Sequence, residues 1–344
     1  MMQPAMIHST SYSTYIKRIG RGAHATDLEE HEAYQMFSAM LDDGVADLEL
    51  GAIVLAMRMK SESASEIMGF YRAMSERIYT LDALNTFSSP CLPVVLPCYN
   101  GARRQANLLP LLALLLRNYG IPVLLHGVLQ GNARVTTASI LRELGIAPSV
   151  NLAHAKKQLK EQRIAFLPTA VLSPGLASIL ALRDRLGVRN SGHSLVKLLD
   201  PFPSGCLRVV NVTHPEYLNK MNEFLIATGA RALLLRGTEG EPYANPKRRP
   251  QMDFFNAGKQ ITLFEAEEGT LKQPPPLPAD MDALTTANWI SRVLAHEIPV
   301  PQPIINQLAC CLYGSGYADD MSQAIALAAG KTMRFSVAQL FKNA

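Results

Sequence analysis

The 344-residue chain is predicted to be an α/β protein: a small all-helical N-terminal domain, then a larger α/β domain with a mainly parallel sheet. Three observations predict this. Two capping boxes open helical stripes in the N-terminal part. Beyond residue 90, short apolar runs alternate with amphipathic segments. Those runs are apolar throughout, as strands are when both faces of a sheet are covered.

Thr26 with Glu29, and Ser63 with Glu66, fit the capping box, in which two orphan helix amides are satisfied reciprocally. Ala33, Phe37, Met40 and Leu41 follow the first box at helical spacing, and Ile67, Phe70, Tyr71, Met74 and Ile78 follow the second. The pattern changes at Ser88, Ser89 and Pro90. PVVLPC, NLLPLLALLLRNYG, PVLLHG and TTASILRELG then alternate strand with helix, and IAFL, LRVVNV, ALLLRG and ITLFEA supply further strands. KQPPPLPAD is a stiff connector ahead of three helical stretches near 281–297, 303–313 and 319–329. The helical domain is placed at 1–88, with a returning segment near 185–205. The α/β domain with its C-terminal helices takes 89–344.

Hydrophobic residues make up 48% of the chain and charged ones 18%, which excludes global disorder. The longest apolar stretch, Leu108 to Leu116, is too short to span a bilayer and contains Pro110. No apolar core for a signal peptide stands at the N-terminus, so a cytoplasmic location is expected. Five cysteines without CxxC spacing point to free thiols and to no zinc site. Charge is uneven. Residues 1–90 carry 7 Lys and Arg against 12 Asp and Glu, residues 91–260 carry 21 against 9, and residues 261–344 carry 5 against 8. The internal positive block implies an anionic partner. There is no GxSxG, HExxH, Walker loop or GxGxxG to indicate other familiar chemistry.

EEHEAYQMFSAMLDDGVADLELGAIVLAMRMKSESASEIMGF contains an acid-Ala start, a Leu-Asp-Asp-Gly turn and a Lys-x-Glu-Ser-x-x-Glu-Ile-x-Gly ending. With RDRLGVRNSGHSLVKLLDP at 183–201, these features resemble the anthranilate phosphoribosyltransferase family, also called glycosyltransferase family 3. The resemblance covers about residues 15–330. It implies a nucleoside phosphorylase/phosphoribosyltransferase-like fold, and a homodimer paired through the helical domain.

The family's catalytic motifs are replaced here. Its Gly-Thr-Gly-Gly-Asp diphosphate loop falls on Pro97, Cys98, Tyr99, Asn100 and Gly101, so one glycine remains to let amides approach phosphate. Its Asn-x-Ser-Thr falls on Asn107, Leu108, Leu109 and Pro110, and its Lys-His-Gly-Asn-Arg on Leu125, His126, Gly127, Val128 and Leu129. The acidic pair that holds magnesium falls on Gly240 and Glu241, with Glu239 as a possible substitute followed closely by Pro242. Phosphoribosyl transfer requires stabilisation of the leaving diphosphate, so these losses lead to the expectation of no catalytic residue, no metal and no cofactor.

Cations stand in their place: Arg103 and Arg104 after the loop, Lys197, Arg236 at a strand end, and Lys247, Arg248 and Arg249 between Pro246 and Pro250. The chain is most similar to a divergent branch of the family described as nonspecific nucleic-acid binders. The expectation is therefore a DNA- or RNA-binding protein that contacts backbone phosphates without sequence preference, with Tyr99 and Tyr243 available to stack on bases. Lys156, Lys157 and Lys160 are expected on a solvated helix face, and His126 and His193 as ordinary satisfied histidines. Two alternatives stay open: a phosphoribosyltransferase or nucleoside phosphorylase with an altered acceptor, and a module binding an acidic protein.

Overall fold

A computed structural model describes residues 12–81, 91–131, 133–213, 216–269 and 276–330. The chain divides into two compact units, Met1–Ile78 with Ser173–Val196, and Tyr79–Leu172 with Lys197–Ala344. The expected boundary at 88–89 and the first part of KQPPPLPAD lie outside the described residues.

The first unit opens with α1 (Tyr12–Ile19), α2 (Glu30–Leu41), α3 (Asp47–Lys60) and α4 (Ala64–Ser75). The second unit begins with β1 (Val94–Cys98), α5 (Leu109–Asn118), β2 (Val123–Gly127), α6 (Thr137–Glu143), α7 (Leu152–Gln162), β3 (Ile164–Pro168) and the single turn α8 (Thr169–Leu172). The chain returns to the first unit as α9 (Pro174–Leu186) and α10 (Gly192–Leu195). It completes the second with β4 (Leu207–Val212), α11 (Glu216–Ala227), β5 (Ala232–Arg236), β6 (Met252–Asn256) and β7 (Lys259–Phe264). Three helices close the described chain, α12 (Ala283–Leu294), α13 (Gln302–Gly314) and α14 (Met321–Ala329).

In the helical unit, Ser63 and Glu66 form the expected box at the start of α4. The box on α2 sits three residues later than expected, on Glu29 and Glu32. Glu29 is extended (φ −68°, ψ 158°), so the helix begins at Glu30, and the Glu32 carboxylate accepts the Glu29 amide at 2.9 Å. Ala33, Phe37, Met40, Leu41, Phe70 and Met74 are buried, and the Phe37 and Phe70 rings stack 4.7 Å apart. Ile67, Tyr71 and Ile78 are half-buried. A Cβ on Gly69 would lie 2.3 Å from the Glu30 carbonyl oxygen, so glycine is what lets α4 press against α2.

The second unit is built on a seven-stranded sheet in the order β3-β2-β1-β4-β5-β6-β7. β1 to β5 are mutually parallel, and apart from the last residue of β5 they are wholly buried. Sequence reasoning missed β6, and ITLFEA proves to be an antiparallel, largely exposed edge strand. The reason is a hairpin: after Asn256, Ala257 and Gly258 take φ 48° and 77°, the left-handed pair that turns a strand back on itself. One face of the sheet presents Leu96, Leu125, Phe166 and Leu235 to Leu111, Ile140, Ile290 and Cys311 from the helices. Pro110 sits in the first turn of α5, where its missing amide removes no helical bond. All five cysteines are free and buried. Among the described residues, no helix is long and apolar enough to cross a membrane.

The chain places β2 and β3 on one side of β1 and β4 to β7 on the other. The connections after β1 and β4 therefore diverge, opening the crevice in which parallel sheets take their ligands.

Candidate functional site at the ends of β1 and β5

The segment after β1 is tied down on both sides. Ala102 exchanges two backbone bonds with Val135, at 3.0 and 2.8 Å. Gly101 has φ +68°, and a Cβ there would stand 2.9 Å from the Val135 carbonyl oxygen. Asn107 is fully buried; its carbonyl oxygen accepts the Leu109 amide at 3.1 Å and its amide donates to the Thr137 hydroxyl at 3.0 Å. The Asn107 side chain thus fixes the entry to α5.

Opposite this segment, the chain leaving β5 turns sharply. Thr238 and Glu241 exchange backbone bonds at 3.0 and 2.9 Å, with Glu239 at φ +53° and Gly240 at φ +91° between them. This turn aims two carboxylates at the β1 segment. Glu241 is fully buried, and its Oε1 accepts the amides of Asn100 at 2.9 Å and Gly101 at 2.6 Å. Its Oε2 accepts the Thr137 hydroxyl at 3.3 Å. Glu239 accepts the next amides along: Arg103 on Oε2 at 3.0 Å, and Arg104 and Gln105 on Oε1 at 2.8 and 3.0 Å. The Arg134 guanidinium stands 3.8 Å from Glu239 and donates to the Gly101 carbonyl at 2.9 Å. The Asn100 side-chain amide donates to the Glu239 carbonyl. Five backbone amides thus converge on two carboxylates, the donor arrangement that receives anions.

Burial pushes the Glu241 carboxyl up to about 7, against the opposing pull of the Gly101 and Asn100 amides and the Thr137 hydroxyl. Burial likewise raises the Cys98 thiol, helped by nearby Glu241. Tyr243 is fully buried, donates to the Ala106 carbonyl at 3.0 Å, and has its phenol pushed up by burial. On β2, burial holds His126 neutral, with its pKa lowered to about 3. Among the described residues neither of its ring nitrogens has a hydrogen-bond partner, contrary to the expectation of a satisfied histidine. His193 accepts the Asn190 amide at 3.2 Å. The buried Asn211 carboxamide, near the end of β4, also makes no hydrogen bond among the described residues.

The resemblance implies a magnesium ion at this place, and the residues do not fit one. Both carboxylates direct their oxygens onto N–H and O–H donors, whose positive ends repel a cation. Among the described residues, no group of three or more His, Cys, Asp or Glu could share a metal.

The expected cations lie on several different elements. Arg103 and Arg104 have exposed side chains, while their amides serve Glu239. Arg236 is exposed at the end of β5, and Lys197 is half-buried in a 3-10 turn. Lys247 and Arg248 lie in a turn that starts at Asn245. The Asn245 side chain accepts the Lys247 amide at 2.9 Å and its carbonyl accepts the Arg248 amide at 3.1 Å, a local bond that asparagine favours. Arg249 is held by the Glu265 carbonyl at 3.0 Å, by Glu267 at 3.2 Å and by the Phe264 ring. Sequence reasoning missed Arg134, Thr137 and the use of Glu239; two acids in one short turn after a strand end were the available signal.

Residues 13–78 match the helical bundle domain of the glycosyl transferase family. The chain is 43% identical over 317 residues to the uncharacterized protein YbiB of Escherichia coli (strain K12), covering 92% of this chain and 98% of that protein. It is 26% identical over 309 residues to the anthranilate phosphoribosyltransferase of Thermus thermophilus, covering 88% and 90%. The crystal structure of the Thermus thermophilus enzyme superposes with a TM-score of 0.72, covering 91% of this chain and 92% of the enzyme. The enzyme of Saccharomyces cerevisiae, solved with PRPP and Mg, shares the fold at 16% identity, with a TM-score of 0.69 and 93% of each chain covered.

These findings correct the expectation of DNA or RNA binding. The compared proteins with a stated activity are anthranilate phosphoribosyltransferases. The site also argues against a nucleic-acid groove. Its amides face carboxylates, Arg249 is committed to Glu267 and Phe264, and Tyr99 and Tyr243 are buried where no base can stack. By its similarity over nearly its whole length, the chain belongs to the family of Escherichia coli YbiB, built on the anthranilate phosphoribosyltransferase-like fold.

Proposed function

We propose that this chain is a glycosyl-transferring protein of the phosphoribosyltransferase type whose acceptor is not anthranilate. The observation that carries the proposal is the row of amides from Asn100, Gly101, Arg103, Arg104 and Gln105 at the carboxyl end of β1, beside the switch in strand order. Transfer of a pentosyl group leaves charge on a departing phosphate, and fixed N–H donors with Arg134 are suited to receive it. Since the acidic pair does not form a metal clamp, that charge falls to the amides and guanidinium groups.

A second chemistry shares this geometry. The Glu239 carboxylate is one small anion under three amides, the dimensions of a single phosphate, which favours phosphorolysis of a nucleoside. The test offers the protein phosphoribosyl diphosphate with anthranilate, then with other aromatic and nucleobase acceptors. It also offers nucleosides with inorganic phosphate, each with and without Mg²⁺. No product is expected with anthranilate, and a pentosyl product is expected with another acceptor or by phosphorolysis. Anthranilate turnover above about one per second, or no pentosyl product under any condition, sinks the proposal.

Pairing through the helical unit is proposed as well. Leu48, Leu55 and Met59 lie on one face of α3 with 82%, 48% and 78% of their surface exposed. A second copy of the same unit would cover them. Sedimentation is expected to show about twice 37.6 kDa, and the monomer mass after Leu48→Glu, Leu55→Glu and Met59→Glu together. A wild-type monomer at micromolar concentration contradicts pairing.

A further inference from the structure

We infer that Glu239 is an internal anion that closes a phosphoryl-binding site, and that the site opens when the tip of the turn, Glu239 and Gly240, swings away while Glu241 stays bound. The inference rests on the reading of this region as a phosphate site and adds how access to it is controlled.

Three consecutive amides, from Arg103, Arg104 and Gln105, point at one place, and the Glu239 carboxylate fills it with bonds of 2.8–3.0 Å. The Arg134 guanidinium stands 3.8 Å away. The place thus holds three N–H donors and a nearby guanidinium group. They suit a phosphoryl group carrying two negative charges and three oxygens.

The closed arrangement carries two signs of a conformation held against preference. Glu239 is an L-residue in the left-handed region, at φ +53°, where a side chain meets its own backbone. Asn211, fully buried, makes no hydrogen bond with either atom of its carboxamide among the described residues. Its nitrogen lies 2.7 Å from where a Cβ on Gly237 would stand, so it abuts the base of the same turn. Movement of the tip relieves the first strain. Glu241 is the anchor on the other side: its bonds to the Asn100 and Gly101 amides keep the β1 segment shaped when Glu239 departs. Because Glu239 and a phosphoryl group compete for the same amides, removing the carboxylate strengthens ligand binding, whereas loss of an ordinary binding residue would weaken it.

The experiment titrates inorganic diphosphate by calorimetry into wild type, Glu239→Ala and Glu239→Gln. Glu239→Gln keeps the side-chain volume if the alanine variant folds poorly, and thermal unfolding checks each protein. Both variants are expected to bind at least ten times more tightly than wild type, with the Arg103, Arg104 and Gln105 amide resonances shifting on addition. Equal affinity in wild type and the folded variants overturns the plug and leaves the phosphate site standing. Absence of binding by any folded protein overturns both. Tighter binding in the variants, with no pentosyl product from any acceptor, keeps the plug and removes the transferase.

Discussion

Raising the pH from 5 to 8 is expected to destabilise the wild-type protein relative to Glu241→Gln, while buried His126, held neutral in both folds, stabilises both as pH rises towards its ordinary 6.5. In the unfolded chain Glu241 releases its proton near its ordinary 4.5, whereas in the fold it holds the proton up to about 7. Over that window the unfolded state binds fewer protons at Glu241, so the titration of this group favours unfolding as pH rises. The contribution is complete below the unfolded value and is lost as pH climbs through the folded one. Its size is about 3 kcal/mol, from 1.36 kcal/mol per pH unit. Glutamine keeps an oxygen for the Asn100 and Gly101 amides and offers an N–H to the Thr137 hydroxyl, so the fold is retained. Urea unfolding of both proteins across this range is the measurement. Parallel curves would mean that Glu241 is ionised throughout.

Rebuilding the acidic pair of the enzymes with Gly240→Asp is expected to destabilise the protein by about 2–5 kcal/mol and to create no magnesium site. Gly240 has φ +91°, where a side chain is strained by about 1–2 kcal/mol. A Cβ there would stand 2.9 Å from the Asn100 side-chain nitrogen, which is itself bonded to the Glu239 carbonyl. Displacing Asn100 adds the cost of overpacking, about 1–3 kcal/mol. A variant as stable as wild type that bound Mg²⁺ in calorimetry would show that the turn tolerates the older arrangement.

Much of the fold was legible because its determinants are local. The buried strands are short apolar runs, and Ser63 and Glu66 sit three residues apart on their own helix. On α2, Glu29, Glu30 and Glu32 offered competing registers, and backbone geometry chose among them. β6 was hidden by Asp253, a buried carboxylate in a strand. Gln251 and Thr262 satisfy it, the latter from the neighbouring strand, at 2.7–3.0 Å. The site was less legible, because Glu239 meets its amides across 134 to 136 residues. Charge counting found the cations and could not see that Glu267 claims Arg249. Isolated basic residues say where charge is written in a chain, and only folding says which charge is already neutralised.

The helical unit is assembled from two stretches of chain separated by β1, β2 and β3. Gly175 is pressed so close to Leu41 that a Cβ would lie 2.1 Å from its carbonyl oxygen, and Ser191 donates to the Glu62 carboxylate at 2.5 Å. On the ribosome these contacts are out of reach until α9 and α10 have emerged. At about 5–20 residues per second, the nascent α1 to α4 wait roughly 6–24 s for their closing pieces. During that interval Phe37, Met40 and Phe70 belong to an unfinished bundle while the first three strands are being made. Biosynthesis therefore interleaves the two units, and the N-terminal segment is the part of the newborn chain most dependent on protection from association.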